Sequence, residues 1–165
     1  MLDGYKFFYQ LPLNSKVGGV AAYVKKSLSP IVKVDLCEKT SDFESLWLAV
    51  SNNNVKHLVG GYYRHTNTPI ASFQKSLFTT LNKIKRNKNC IVAGDFNIDL
   101  NKYSFNSNTT DYVDDLIANN YLPLAFCHGV TNNSATNIDH IYIKSHLNSK
   151  SHFKSGLITS DHLSN

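Results

Sequence analysis

Asn89–Leu100 reads NCIVAGDFNIDL. Cys90 to Ala93 is a short apolar run with β-branched Ile91 and Val92, the pattern of a strand buried on both faces. It passes straight into Gly94-Asp95-Phe96-Asn97. A glycine there permits backbone conformations closed to other residues, and Asp95 and Asn97, two apart, project to the same side. A carboxylate and an amide at the mouth of a buried strand suit a site that handles water, a metal or a phosphate. The same residue types are common in plain polar turns, so the flanking sequence has to decide between the two readings.

Upstream, Val17–Val24 (VGGVAAYV) is a glycine turn feeding an apolar strand. Val32–Cys37 alternates, with Val32, Val34 and Leu36 against Lys33 and Asp35, which predicts a strand with one wet face. FESLWLAVS (Phe43–Ser51) and VKHLVGGYYR (Val55–Arg64) flank Asn52-Asn53-Asn54 and predict an antiparallel hairpin. Phe73, Leu77, Leu81 and Ile84 then fall on one helical face, with Ser72 as the expected N-cap and lysines at the C-terminal end.

Downstream, a polar loop (Asn101–Asn108) leads to a helix expected over about Thr110–Asn119, with Tyr112, Val113, Leu116 and Ile117 inward. Tyr121–Val130 is mixed apolar sequence and Ser134–Asn137 a turn. Ile138–Ile143 is a strand with Ile138, His140 and Tyr142 on one face and Asp139, Ile141 and Ile143 on the other. Strands dominate and two helices are inserted, which makes the class α+β or a layered sandwich. No repeat or linker interrupts the 165 residues, so a single domain over 1–165 is expected.

The composition is that of a globular chain: 42% hydrophobic and 18% charged. No apolar run is long enough to span a bilayer, and the opening MLDGYKFFYQLPL lacks the layout of a signal peptide. Cys37, Cys90 and Cys127 are odd in number, lack metal-ligand spacing and sit in apolar surroundings. They are expected to be reduced thiols in an intracellular protein, nuclear or cytoplasmic and not secreted. The net charge of +5, with Lys83, Lys85, Arg86 and Lys88 as its densest run, biases the chain mildly toward polyanions.

Asp139 is the anomaly of its strand, because desolvating an unpartnered carboxylate costs several kcal/mol. A histidine is a natural partner, and Asp161-His162 supplies one together with a second carboxylate. The plainer alternatives are an edge-strand residue at Asp139 and a polar tail at Ser160-Asp161-His162.

Taken in order, GGVAAYV (Gly18–Val24), FESLW (Phe43–Trp47), YYR (Tyr62–Arg64), GDFN (Gly94–Asn97), Ser134 with IDHIYI (Ile138–Ile143), and SDH (Ser160–His162) resemble one known pattern. It is that of the exonuclease–endonuclease–phosphatase superfamily, in particular the endonuclease domains of non-LTR retrotransposons. The resemblance implies a four-layer α/β sandwich, with two mixed β-sheets packed face to face and helices outside. It also implies a divalent cation (Mg2+, or Mn2+) and hydrolysis of a DNA phosphodiester by water, with no small-molecule cofactor and no membrane partner.

By the same resemblance Asp95 orients or deprotonates the attacking water, and Asn97 holds that water or a phosphate oxygen. Asp161 belongs to the metal group, while His162 contacts the scissile phosphate and is oriented by Asp139. Tyr63 donates to the phosphate, and Ser134 and Arg64 fall on the substrate side of the cleft.

The chain departs from the pattern in two places. The family's earliest motifs, an asparagine and a metal-binding glutamate, belong upstream of the segment that resembles Leu2–Tyr5, so the first strand and helix of the sandwich are expected to be missing. Glu44 belongs to FESLW, on another strand, and is not expected to substitute for that glutamate. Prolines usually follow the arginine of the tyrosine motif, whereas His65-Thr66 do here. The expectation is a DNA phosphodiesterase impaired by the absent glutamate. The alternatives are an inactive nucleic-acid-binding remnant and, behind it, a phosphatase of the same superfamily.

Overall fold

A computed structural model describes residues 2–13, 17–131 and 134–145. Eight strands run in the order β1 (Tyr5–Gln10), β2 (Val20–Lys25), β3 (Ile31–Val32), β4 (Phe43–Asn52), β5 (Val55–Arg64), β6 (Cys90–Asp95), β7 (Leu122–Thr131) and β8 (Ser134–Lys144). Helix α1 (Ile70–Lys83) lies between β5 and β6, and α2 (Ser107–Ala118) between β6 and β7. The strands form a two-stranded ribbon, β1-β2, and a six-stranded sheet ordered β3-β4-β5-β6-β8-β7. Among the described residues only β5 and β6 pair in parallel, joined through α1, so the larger sheet is mixed and the ribbon antiparallel.

The period-2 pattern sends alternate side chains to opposite faces of the larger sheet. One face carries Phe43 and Trp47 from β4, Tyr62 from β5, Val92 from β6 and Tyr142 from β8. It packs against Phe73, Leu77 and Leu81 of α1 and Tyr112 and Leu116 of α2 in one continuous core. Against the other face lies the ribbon, where a Cβ on Gly61 would come within 2.7 Å of Val20 Cγ1. Helices, large sheet and ribbon are three layers of the expected sandwich; no helix among the described residues covers the ribbon's outer side. None is long and apolar enough to cross a membrane.

The hairpin forms as its sequence predicts: β4 and β5 pair from Phe43↔Arg64 to Asn52↔Val55. Asn53 (φ 47°) and Asn54 (φ 63°) hold the left-handed turn that matches strand twist. Several boundaries differ. The strand expected over Val32–Cys37 ends at Val32, where the chain turns and Leu36 N donates to Lys33 O. Leu36 enters the helix-side core and Val34 is 76% exposed, so the alternation there reflects a turn between two environments.

Helix α1 begins at Ile70 with Pro69 in the capping position, which places Ser72 inside the first turn. Helix α2 begins at Ser107, capped by the Asn106 side chain accepting from Thr109 N, and Ile117 is 42% exposed where an inward position was expected. Ser134–Asn137 belongs to β8, paired with β7 from Thr131↔Ser134 onward. On β6, Cys90 and Val92 are buried, while Ile91 and Ala93 on the other face are only half-buried.

Candidate active site

Strand β6 ends at Asp95 because of its glycine. Gly94 has φ +150°, and a Cβ there would lie 1.9 Å from Tyr62 O, so β5 and β6 approach too closely for any side chain. The ladder in turn fixes the neighbours of Asp95, which pairs with Tyr63 on one side and Asp139 on the other. Tyr63 pairs with Glu44. Paired residues share a face, so Glu44, Tyr63, Asp95 and Asp139 form a single row across β4, β5, β6 and β8. It lies on the ribbon side, where the parallel strands β5 and β6 end, the edge at which open α/β sheets commonly bind ligands.

Asn97 joins this row through a left-handed backbone (φ 48°). Its N–H donates to Asp95 Oδ1 at 3.0 Å and its Nδ2 to Arg64 O at 2.6 Å. Tyr63 keeps its proton firmly: desolvation and the charges of Asp95 and Glu44 raise its pKa, partly offset by a hydrogen bond with Asn97. A hydroxyl so held is a donor at neutral pH, the state needed to contact a phosphate oxygen.

Asp95 and Asp139 stand side by side on adjacent strands, so two carboxylates meet at this end of the sheet. Magnesium is commonly held by one or two carboxylates, its remaining positions filled by water and substrate oxygens, so this pair suits such an ion. Among the described residues no three His, Cys, Asp or Glu side chains converge on one metal position. Asp161 and His162 lie outside the described residues.

Glu44 stands at the far end of the row. It stands two strands from Asp95, about 10 Å at the usual strand spacing. Its carboxylate accepts from His65 Nε2 at 2.9 Å and from Gly19 N at 3.3 Å.

Arg64, placed on the substrate side by resemblance, points the other way. It is 3% exposed on the helix face, where Nε donates to Phe96 O and Nη2 to Asn97 O, each at 2.5 Å, and Nη1 to Thr68 O. Its position ties the strand ends of β5 and β6 and the loop that carries Asn97. Ser134 opens β8 five residues before Asp139, about 17 Å along an extended strand. The basic run Lys83–Lys88 lies at the opposite end of the sheet, ahead of the first residue of β6.

Two contributors escape a motif-based reading. His140 lies under the row in the core, stacked on Phe96 (centroids 5.1 Å, planes 4° apart), with Nε2 2.9 Å from Ile98 O and 3.1 Å from Asn137 O. Burial pushes its pKa down to about 4, so it is a neutral structural histidine that fixes the floor of the site. The alternation along Ile138–Ile143 signals its inward face, but the Phe96 partner comes from another strand end. The second contributor is His65, which nothing but its departure from the proline pattern marks in the sequence.

Solved structures share this architecture. The endonuclease domain of TRAS1, a telomere-specific non-LTR retrotransposon, superposes with a TM-score of 0.65 at 13% identity, over 88% of this chain and 68% of that one. D. rerio TDP2 complexed with single-strand DNA product gives 0.52 at 17% identity, over 86% and 62%. The human Nocturnin catalytic domain with bound sulfate gives 0.55 at 13%, over 87% and 61%. The chain thus spans roughly two thirds of the length of these domains. None of the curated proteins matches it in sequence. The model of the Endonuclease/Exonuclease/phosphatase family matches residues 2–162, nearly the whole sequence. With the row of Tyr63, Asp95 and Asp139 at the strand ends, that match makes this chain a member of the endonuclease/exonuclease/phosphatase family.

Proposed function

We propose that the chain is a DNA endonuclease-like domain of a non-LTR retroelement, which hydrolyses a phosphodiester with a divalent cation, Mg2+ or Mn2+. The observation that carries this reading is the row itself: Tyr63, Asp95 and Asp139 in register, with Asn97 turned in beside them. Asp95 takes the proton of the attacking water or orients it, and its Oδ1 is itself fixed by the Asn97 N–H. Tyr63, held protonated, donates to a non-bridging phosphate oxygen. Asn97 sets the distance between the β5 and β6 ends through Arg64 O.

Asp139 orients His162 against the phosphate, and Asp161, with Asp95, would hold the cation. When bound, the cation neutralises charge that accumulates on the phosphoryl oxygens.

The test is plasmid nicking with Mg2+ and with EDTA. EDTA-sensitive nicking that disappears in Asp95→Ala and in His162→Ala is expected. Nicking unchanged in Asp95→Ala would refute the assignment. The rival reading is a nucleic-acid-binding domain without turnover. It predicts salt-dependent DNA binding with no nicking under any divalent cation.

A further inference from the structure

Glu44 is the most deeply buried carboxylate of the row, at 0% exposure, and burying such a charge is costly unless it is paired. Its side-chain partner is His65, whose Nε2 lies 2.9 Å from Oε1 with the histidine side chain 20% exposed. The glycine turn before β2 seals this pair from above: a Cβ on Gly18 would meet Tyr63 Cε1 at 3.0 Å, His65 Cε1 at 3.1 Å and Glu44 Oε2 at 3.2 Å. The edge of the imidazole also packs against the Tyr63 ring, with centroids 5.2 Å apart and planes at 88°. His65 is thus locked in orientation against the ring of Tyr63, whose hydroxyl is assigned to the scissile phosphate.

On its other flank His65 lines a cavity of about 290 Å³ with Thr40, Ser41, Asp42, Asn67 and Thr68. The hydroxyls there are engaged: Thr40 Oγ1 accepts from the backbone N–H groups of Asp42 and Phe43, Thr68 Oγ1 donates to Asp42 O, and Ser41 Oγ to Asp42 Oδ1. The ring's second nitrogen, Nδ1, makes no hydrogen bond to a described residue, and the Asn67 amide lines the same space.

We propose that His65 is a phosphate-contacting residue, held by Glu44 as a positioning residue, and that it binds the DNA phosphate adjoining the one cleaved. The inference rests on the phosphodiesterase reading above. With a phosphate oxygen at Nδ1 the imidazole bridges two anions, Glu44 at Nε2 and the phosphate at Nδ1. The charged groups around the ring are Glu44 from β4 and Asp42 from the loop before it. Asp42 sets a repulsive limit on one side of the cavity and so favours a single phosphate over a longer run.

The test is fluorescence anisotropy of a labelled DNA duplex with the full chain in EDTA, across a salt series, beside the nicking assay. His65→Gln is expected to bind about tenfold more weakly, the size of one hydrogen bond to a charged group, with a salt slope smaller by about 0.9, one phosphate contact. His65→Arg is expected to restore both.

Long-range 1H–15N correlation spectra of the free protein read the role of Glu44. The His65 ring should show the Nε2–H tautomer in the parent and lose that preference in Glu44→Gln, with circular dichroism confirming the fold. Affinity and slope unchanged in His65→Gln overturn the inference even if the parent nicks DNA. A parent that does not bind DNA at low salt overturns it as well. His65-dependent binding without nicking sustains it and refutes the hydrolytic reading alone.

Discussion

His140 makes the stability of this fold depend on pH. Burial holds its folded pKa at about 4, against 6.5 for an ordinary histidine. Between those values the unfolded chain binds a proton that the folded chain refuses, so stability rises with pH and is lost as pH falls. The penalty is absent above about pH 6.5, grows by about 1.4 kcal/mol per unit below it, and is complete near pH 4. Acidifying from about pH 7.5 to 5 should therefore remove about 2 kcal/mol.

Urea denaturation followed by Trp47 fluorescence measures this directly, since Trp47 is fully buried in the same core. His140→Phe keeps a ring against Phe96 but gives up the bonds to Ile98 O and Asn137 O. It should be less stable at neutral pH and should lose the slope between pH 5 and 6.5. A slope that survives in His140→Phe would show that another group refuses the proton and that the neutral-core assignment is wrong.

Gly94→Ala should cost about 3 kcal/mol or more, because its Cβ would sit 1.9 Å from Tyr62 O and force β5 from β6; a melting temperature within a degree or two of the parent would refute the close approach. Arg64→Met should lose about 3 kcal/mol, since Phe96 O, Asn97 O and Thr68 O lose their donors in a buried place. Hydrogen exchange should rise along residues 96–98 in that variant. Asn97→Gly keeps the left-handed turn (φ 48°) and should change stability by about 1 kcal/mol or less, the loss of one hydrogen bond, while nicking falls sharply. Asn97→Ala should lose about 1 kcal/mol further from backbone strain, which paired denaturation curves read as a difference.

Local pattern alone determined the β4–β5 hairpin, both helices and the two faces of β8, because period and turn chemistry are properties of consecutive residues. Asp95 and Asn97 at a strand end were legible for the same reason: apolar run, glycine and polar pair lie within Asn89–Leu100. Local pattern failed at Val32–Cys37, where alternation between solvent and core is equally satisfied by a turn. It failed again at Ile117, one helical step from the buried Leu116. Motif order carried the family, yet it placed Arg64 by analogy on the substrate side, while strand alternation sends the side chain to the helix face.

Tertiary structure decided what depends on register between distant strands. That Glu44, Tyr63, Asp95 and Asp139 form one row follows from three ladders, each a choice among alignments that no single segment fixes. The same holds for His65, whose meaning comes from a carboxylate 21 residues away and from a glycine turn folded over both. A sequence specifies which way each side chain faces along its own strand; only the packed sheet specifies which side chains stand together, because pairing energy is distributed over whole strands and not over the residues that do the chemistry.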